Sequence, residues 1–208
     1  MGASGCSEVW SVWRGSEKGE GEDYLYEEHD TMNDTKKKAW QSEGVKTSGT
    51  PTLEELTQTP GFPSEEFLYA GPVAFIECVE KIPCNPCETA CPRGAITIGD
   101  NITELPMLDA GKCTGCGLCL PSCPGLAIYV KDYTFEQDRA SIIFPFEYLP
   151  LPKKGDIVEM VDRFGETLCE GEILMVNTSS RNDQTSLIKA AFDKRHFIGV
   201  VSMKRLVT

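Results

Sequence analysis

The run Cys113-x2-Cys116-x2-Cys119-x3-Cys123-Pro124 constrains this chain more than any other feature. A tight loop with a cysteine at every third residue points three thiolates at one face of an iron–sulfur cluster. Its backbone N–H groups can then hydrogen-bond the cluster sulfurs. In runs of this spacing the fourth cysteine, the one before proline, reaches across to a second cluster. Gly115 and Gly117 let the backbone approach closely and take positive φ where needed. Pro124 redirects the chain after the distant fourth ligand.

A second run repeats the first at an offset of 32 residues. Cys84, Cys87 and Cys91-Pro92 map onto Cys116, Cys119 and Cys123-Pro124; Ala95-Ile96 maps onto Ala127-Ile128, and Ile98 onto Val130. A repeated loop–helix–strand unit of this kind holds two clusters, each half lending a ligand to the other half's cluster. One position breaks the repeat, because the partner of Cys113 would be residue 81, which is lysine. Cys78 is the nearest substitute and gives Cys78-x5-Cys84-x2-Cys87-x3-Cys91. An insertion of three residues, including Pro83, lengthens that loop while leaving Cys78 able to reach the same iron. The competing arrangement is a [3Fe–4S] cluster on Cys84, Cys87 and Cys123, with Cys78 merely buried.

Ten cysteines in 208 residues also admit disulfides or zinc. Disulfide scaffolds belong to secreted proteins, yet Met1 to Lys18 contains no continuous apolar run of the kind a signal peptide needs. No stretch approaches the roughly 18 apolar residues that span a bilayer. A reduced, cytoplasmic setting is therefore expected. Structural zinc sites favour C-x2-C pairs set apart by a longer spacer, often with histidine. Here the cysteines interlock in fours, and the only histidines, His29 and His196, lie far off. A zinc-binding interaction module is the weaker alternative. The net charge of −12 divides into −8 for residues 1–75, −5 for 76–150 and +1 for 151–208. No segment carries the basic stripe that nucleic acid or an anionic membrane would require. Phosphate-binding glycine loops, catalytic triads, flavin fingerprints and the C-x3-C-x2-C of radical enzymes are all missing from the sequence. That pattern suits a carrier rather than a catalyst. Acidic residues near the cysteines (Glu77, Glu80, Glu88 and Asp109) should favour the oxidised state and lower the potential.

The chain divides into five parts. Residues 1–50 form an acidic, largely disordered extension, too poor in apolar periodicity to offset its ordering entropy; Met32 is a candidate natural start. Residues 51–75 form an extended docking arm punctuated by Pro60, Pro63 and Pro72, with a short helix capped by Thr52 and Glu55. Residues 76–131 are the cysteine domain, and 132–152 a linker containing one strand. Residues 153–208 alternate as short strands, which a small β-barrel would close. Cys169 stands alone there, as a core residue rather than a ligand. The expected fold class is α+β: a ferredoxin-like dicluster domain with a pseudo-twofold repeat, followed by the barrel.

Residues 78–130 resemble bacterial-type ferredoxins with two [4Fe–4S] clusters. That resemblance implies that Cys78, Cys84, Cys87 and Cys123 hold one cluster, and that Cys113, Cys116, Cys119 and Cys91 hold the other. Farther out, Gly71 to Cys78, Ile82 to Glu88 and Phe146 to Pro152 resemble the ferredoxin-type subunits of multi-subunit flavin dehydrogenases. Such complexes oxidise amino or imino acids such as proline, hydroxyproline or sarcosine. The resemblance implies FAD- or FMN-containing partner subunits, a hetero-oligomer and a relay of single electrons in anaerobic metabolism. A free, diffusible ferredoxin is the alternative function.

Overall fold

A computed structural model of the chain describes residues 44–207. Most of the acidic extension therefore lies outside the described residues, as do Cys6, His29 and Met32. After a helical turn at residues 44–48 comes α1, Leu53–Thr57. It starts where the sequence signals a capping box: Thr52 Oγ1 accepts from Glu55 N (3.2 Å) and Glu55 Oε2 from Thr52 N (2.8 Å). These bonds satisfy two of the donors a helix start leaves open. α2, Glu65–Leu68, follows.

The arm between them packs onto the cysteine domain. Pro60 O accepts from Leu108 N at 2.9 Å and Gly61 O from Ile76 N at 3.2 Å. The approach at Gly61 is so close that a Cβ there would sit 2.9 Å from Ile76 Cβ. Phe62 then stands edge-on to Phe75, with centroids 5.3 Å apart.

In chain order the remaining elements are β1 (Val73–Ile76), α3 (Pro86–Thr89), β2 (Ile96–Thr97), β3 (Met107–Leu108), β4 (Ile128–Asp132), β5 (Arg139–Phe146), β6 (Ile157–Val161), β7 (Thr167–Asn177), β8 (Ser186–Asp193) and β9 (Ser202–Met203). β2 and β3 form a small ribbon of their own. The other seven strands make one sheet in the order β1-β4-β5-β8-β7-β6-β9, with every neighbouring pair antiparallel. This differs from the expected fold in one respect: the C-terminal strands do not close into a barrel. β5 pairs with β4 on one side and β8 on the other, so the edge left open by the cysteine domain is satisfied by the C-terminal strands. β9 is two residues long and meets only the end of β6. Helix is sparse, none of the three labelled helices exceeding five residues.

β1 and the apolar start of β4, Ile128 to Val130, are buried on both faces, as such apolar runs require. On one face Ala74, Ile76, Ile128 and Val130 join Ile96, Ile98, Leu120, Cys87 and Cys119. On the other, Val73, Phe75 and Tyr129 join the core formed with β5 to β9. The sheet thus has a cysteine side and an aromatic side, fixed by the period-two alternation of strand side chains.

The aromatic side carries charged groups that the sequence did not announce. Lys131 is fully buried; its Nζ donates to Phe197 O (2.6 Å) and Ile198 O (3.0 Å) and lies 4.9 to 5.4 Å from the ring centroids of Phe75, Tyr129 and Phe197. Burial, then the charge of Arg163, pushes its pKa well below the usual lysine range. Nearby, Arg163 from the β6–β7 turn bonds Glu77 Oε1 at 2.6 Å, the two side chains only 8% and 12% exposed, and Tyr129 Oη donates to the same carboxylate.

Candidate iron–sulfur centre

β1 delivers the chain into the first cysteine run, and β4 receives it from the second. Register Ile76↔Ile128 and Ala74↔Val130 sets two apolar pairs side by side beneath the two loops. Two cavities lie there. The first is walled by Cys78, Cys84, Cys87 and Cys123 over Ile76 and Ile128. The second is walled by Cys91, Cys113, Cys116 and Cys119 over Ala74 and Val130. Each quartet therefore takes three cysteines from one run and one from the other, and Cys78 stands with the first.

Local backbone explains these positions. Asn85 precedes α3, and Pro86 occupies the helix start, where a missing N–H costs nothing. α3 thereby carries Cys87 into the first cavity, while Cys91 emerges past its end toward the second. Ala95 N donates to Cys91 Sγ at 3.3 Å. In the second loop Gly115 and Gly117 hold φ of +63° and +77°. A Cβ on Gly115 would lie 2.6 Å from Pro72 Cβ and 2.9 Å from Pro72 O. Only glycine fits the chain's passage there.

The electrostatics favour a cationic occupant. Burial, and then neighbouring cysteines, push the Cys119 thiol up to about 12 and the Cys87 thiol to about 11; Cys78 rises for the same reasons. Four thiolates so enclosed repel one another, and ferric and ferrous iron remove that repulsion by coordination. Among the described residues, no group of three or more His, Cys, Asp or Glu converges tightly enough to hold a single ion. The quartets frame a space instead, which fits a polynuclear group. Cys169 stays apart in β7, and Cys6 is outside the described residues.

Comparison with known proteins bears on the same segment. A family model described as a 4Fe-4S dicluster domain matches residues 78–127. This segment is a 4Fe–4S dicluster domain. The chain is 42% identical across 57 residues to an isethionate sulfite-lyase activating enzyme of Desulfovibrio desulfuricans, covering 26% of this chain and 18% of that protein. It is 42% identical across 50 residues to one subunit of an ion-translocating oxidoreductase complex of Methanosarcina acetivorans, covering 24% and 18%. An uncharacterized ferredoxin of Methanocaldococcus jannaschii is 40% identical across 47 residues, covering 23% and 29%. The chain thus spans less than a third of the length of each of these relatives. No solved structure matches.

The four acids near the cysteines differ in their partners. Of the four acids expected to lower the potential, Glu77 is paired with Arg163 and Asp109 with Lys112 at 2.7 Å. Glu88 accepts from Ile98 N at 3.1 Å, and Glu80 lines the first cavity. Sequence reasoning missed Arg93, which lines the second cavity. Its place beside Cys91-Pro92 was the available signal.

Proposed function

We propose that this chain is an electron-transfer subunit holding two [4Fe–4S] clusters, one on Cys78, Cys84, Cys87 and Cys123 and the other on Cys91, Cys113, Cys116 and Cys119. The clusters would supply reversible one-electron storage, and the protein residues hold, shield and tune them. The observation that carries the reading is the crossed lining of the two cavities, three cysteines from one run and one from the other. The dicluster match supports the cluster type, and the related subunit of an ion-translocating complex supports electron transfer within an assembly.

The proposed assembly is an oxidoreductase complex whose flavin-containing dehydrogenase subunits act on an amino or imino acid, in the reducing cytoplasm. That finer reading rests on the resemblance of the flanking segments. About three quarters of the chain lies outside the matched domain. A diffusible carrier needs little beyond that domain, which favours a subunit. Among the described residues, no helix is long and apolar enough to cross a membrane.

Anaerobic purification from the native host tests both levels. Iron and sulfide in equal amounts, with paramagnetism appearing on reduction, are expected, together with co-purifying flavin-containing chains. Colourless, iron-free protein with stoichiometric zinc would refute the clusters. A loaded monomer without flavoprotein companions would refute the subunit. Cys78→Ser is expected to lose one iron per chain and to show a three-iron signal in the oxidised state. Retention of full iron with no such signal would remove Cys78 from the ligands.

A further inference from the structure

Beside their four cysteines, the walls of the two cavities carry ionisable side chains of opposite sign. Apart from cysteines, the only ionisable side chain on the wall of the second is Arg93. The wall of the first carries Glu80 and Glu104 and no cation. Arg93 is exposed and makes no ion pair among the described residues. Glu104 is paired with Lys81 at 3.5 Å, a partial compensation that solvent weakens at side chains 48% and 66% exposed, as it weakens the field of exposed Arg93.

The remaining charges near the cysteines do not reverse this contrast. Asp109–Lys112 and Glu77–Arg163 are closed pairs. Glu88 bonds the backbone of Ile98, which lines the first cavity, and so adds to the negative end. Lys131 lies beyond Val130 on the opposite face of the sheet, where its Nζ is committed to two carbonyls.

We infer that the electron path has a built-in direction, from the first cavity to the second, with Arg93 as the residue that sets the higher potential. This rests on the reading that each cavity holds a [4Fe–4S] cluster. Reduction adds one negative charge to a cavity's contents. Arg93 stabilises that charge at the second cavity, and Glu80 and Glu104 oppose it at the first. One electron leaves a reduced donor protein at the first cavity, crosses between the cavities, and passes to an oxidised acceptor protein at the second. The donor is oxidised and the acceptor reduced by one electron each, with no proton transferred. At the second cavity, Cys116 and Leu118 (54% exposed) come to the surface beside Arg93, which gives the electron an exit.

The test is a potentiometric titration of the anaerobically loaded full chain, followed by EPR, after its iron content has been measured. Two resolved one-electron midpoints are expected. Arg93→Gln should lower the upper midpoint by about tenfold in the reduction equilibrium, about 59 mV for one electron, and leave the lower one in place. Arg93→Lys should retain most of the native value, and Glu104→Gln should raise the lower midpoint alone. Coincident native midpoints would overturn the inference, as would an Arg93→Gln change that moves the lower midpoint or neither. Loss of iron from the native protein would instead overturn the cluster reading beneath it.

Discussion

Gly115 has no room for a β-carbon, and its φ of +63° is one that L side chains resist by about 1–2 kcal/mol. Gly115→Ala should therefore displace the loop bearing Cys113 and Cys116 from Pro72. The expected outcome is loss of about half the bound iron with the first cavity still loaded, read as iron per chain and as survival of the lower EPR-monitored midpoint. Cys169 is the contrasting thiol. Burial, and then the charge of Asp193, push it up to about 11. At pH 8 its thiolate fraction is about 100-fold below that of a thiol with an ordinary value of 9.0, and the thiolate is the nucleophile. Alkylation of Cys169 in the loaded protein should be slower by that factor and should accelerate until about pH 11. Mass spectrometry of timed reactions measures it, and an early plateau near pH 9 would show that the thiol is not so enclosed.

At the scale of elements, the informative contact joins residues 86 positions apart. Glu77 extends β1 at the entry to the first cysteine run, and Arg163 belongs to the turn between β6 and β7. Burial opposes the Arg163 charge, but Tyr129 and Glu77 beside it outweigh that cost and hold it protonated. Breaking such a pair on one side leaves a buried charge alone, at a cost of about 3–5 kcal/mol. Arg163→Met should lower stability by that amount, and Glu77→Leu combined with Arg163→Met should recover part of it. Urea unfolding of the loaded single and double variants measures both. This contact also marks where sequence legibility stops. The two cysteine runs could be read because each spacing is local and repeats at 32 residues. Thr52 and Glu55 could be read because a capping box spans four residues. The Glu77–Arg163 pair, the burial of Lys131 and the open sheet depend on which strand edges meet. The alternation of β6 to β8 is the same in a barrel and in a sheet that continues through β5 into β4, so periodicity cannot separate them. Lys131 left one trace: strand parity sets it on the same face as Phe75 and Tyr129.

Over the whole molecule, folding and metal loading are linked through the thiols. In the iron-free chain Cys87 and Cys119 keep their protons up to about 11 and about 12, while the unfolded chain releases them near 9. Between those values the unfolded state binds fewer protons than the native state, so stability falls as pH rises. The contribution is fully present below pH 9, declines through the window from 9 to about 12, and is lost above it. Coordinated thiolates carry no such protons, and iron binding must displace them, so loading strengthens with pH over the same range. The two forms should diverge on titration. Iron-free protein should lose urea resistance steadily from pH 9 upward, whereas anaerobically loaded protein should hold its midpoint to higher pH. Parallel denaturation curves at pH 7.5, 9 and 10 measure the difference. Equal pH slopes for both forms would mean that the cavity thiols are not the groups that couple iron to the fold.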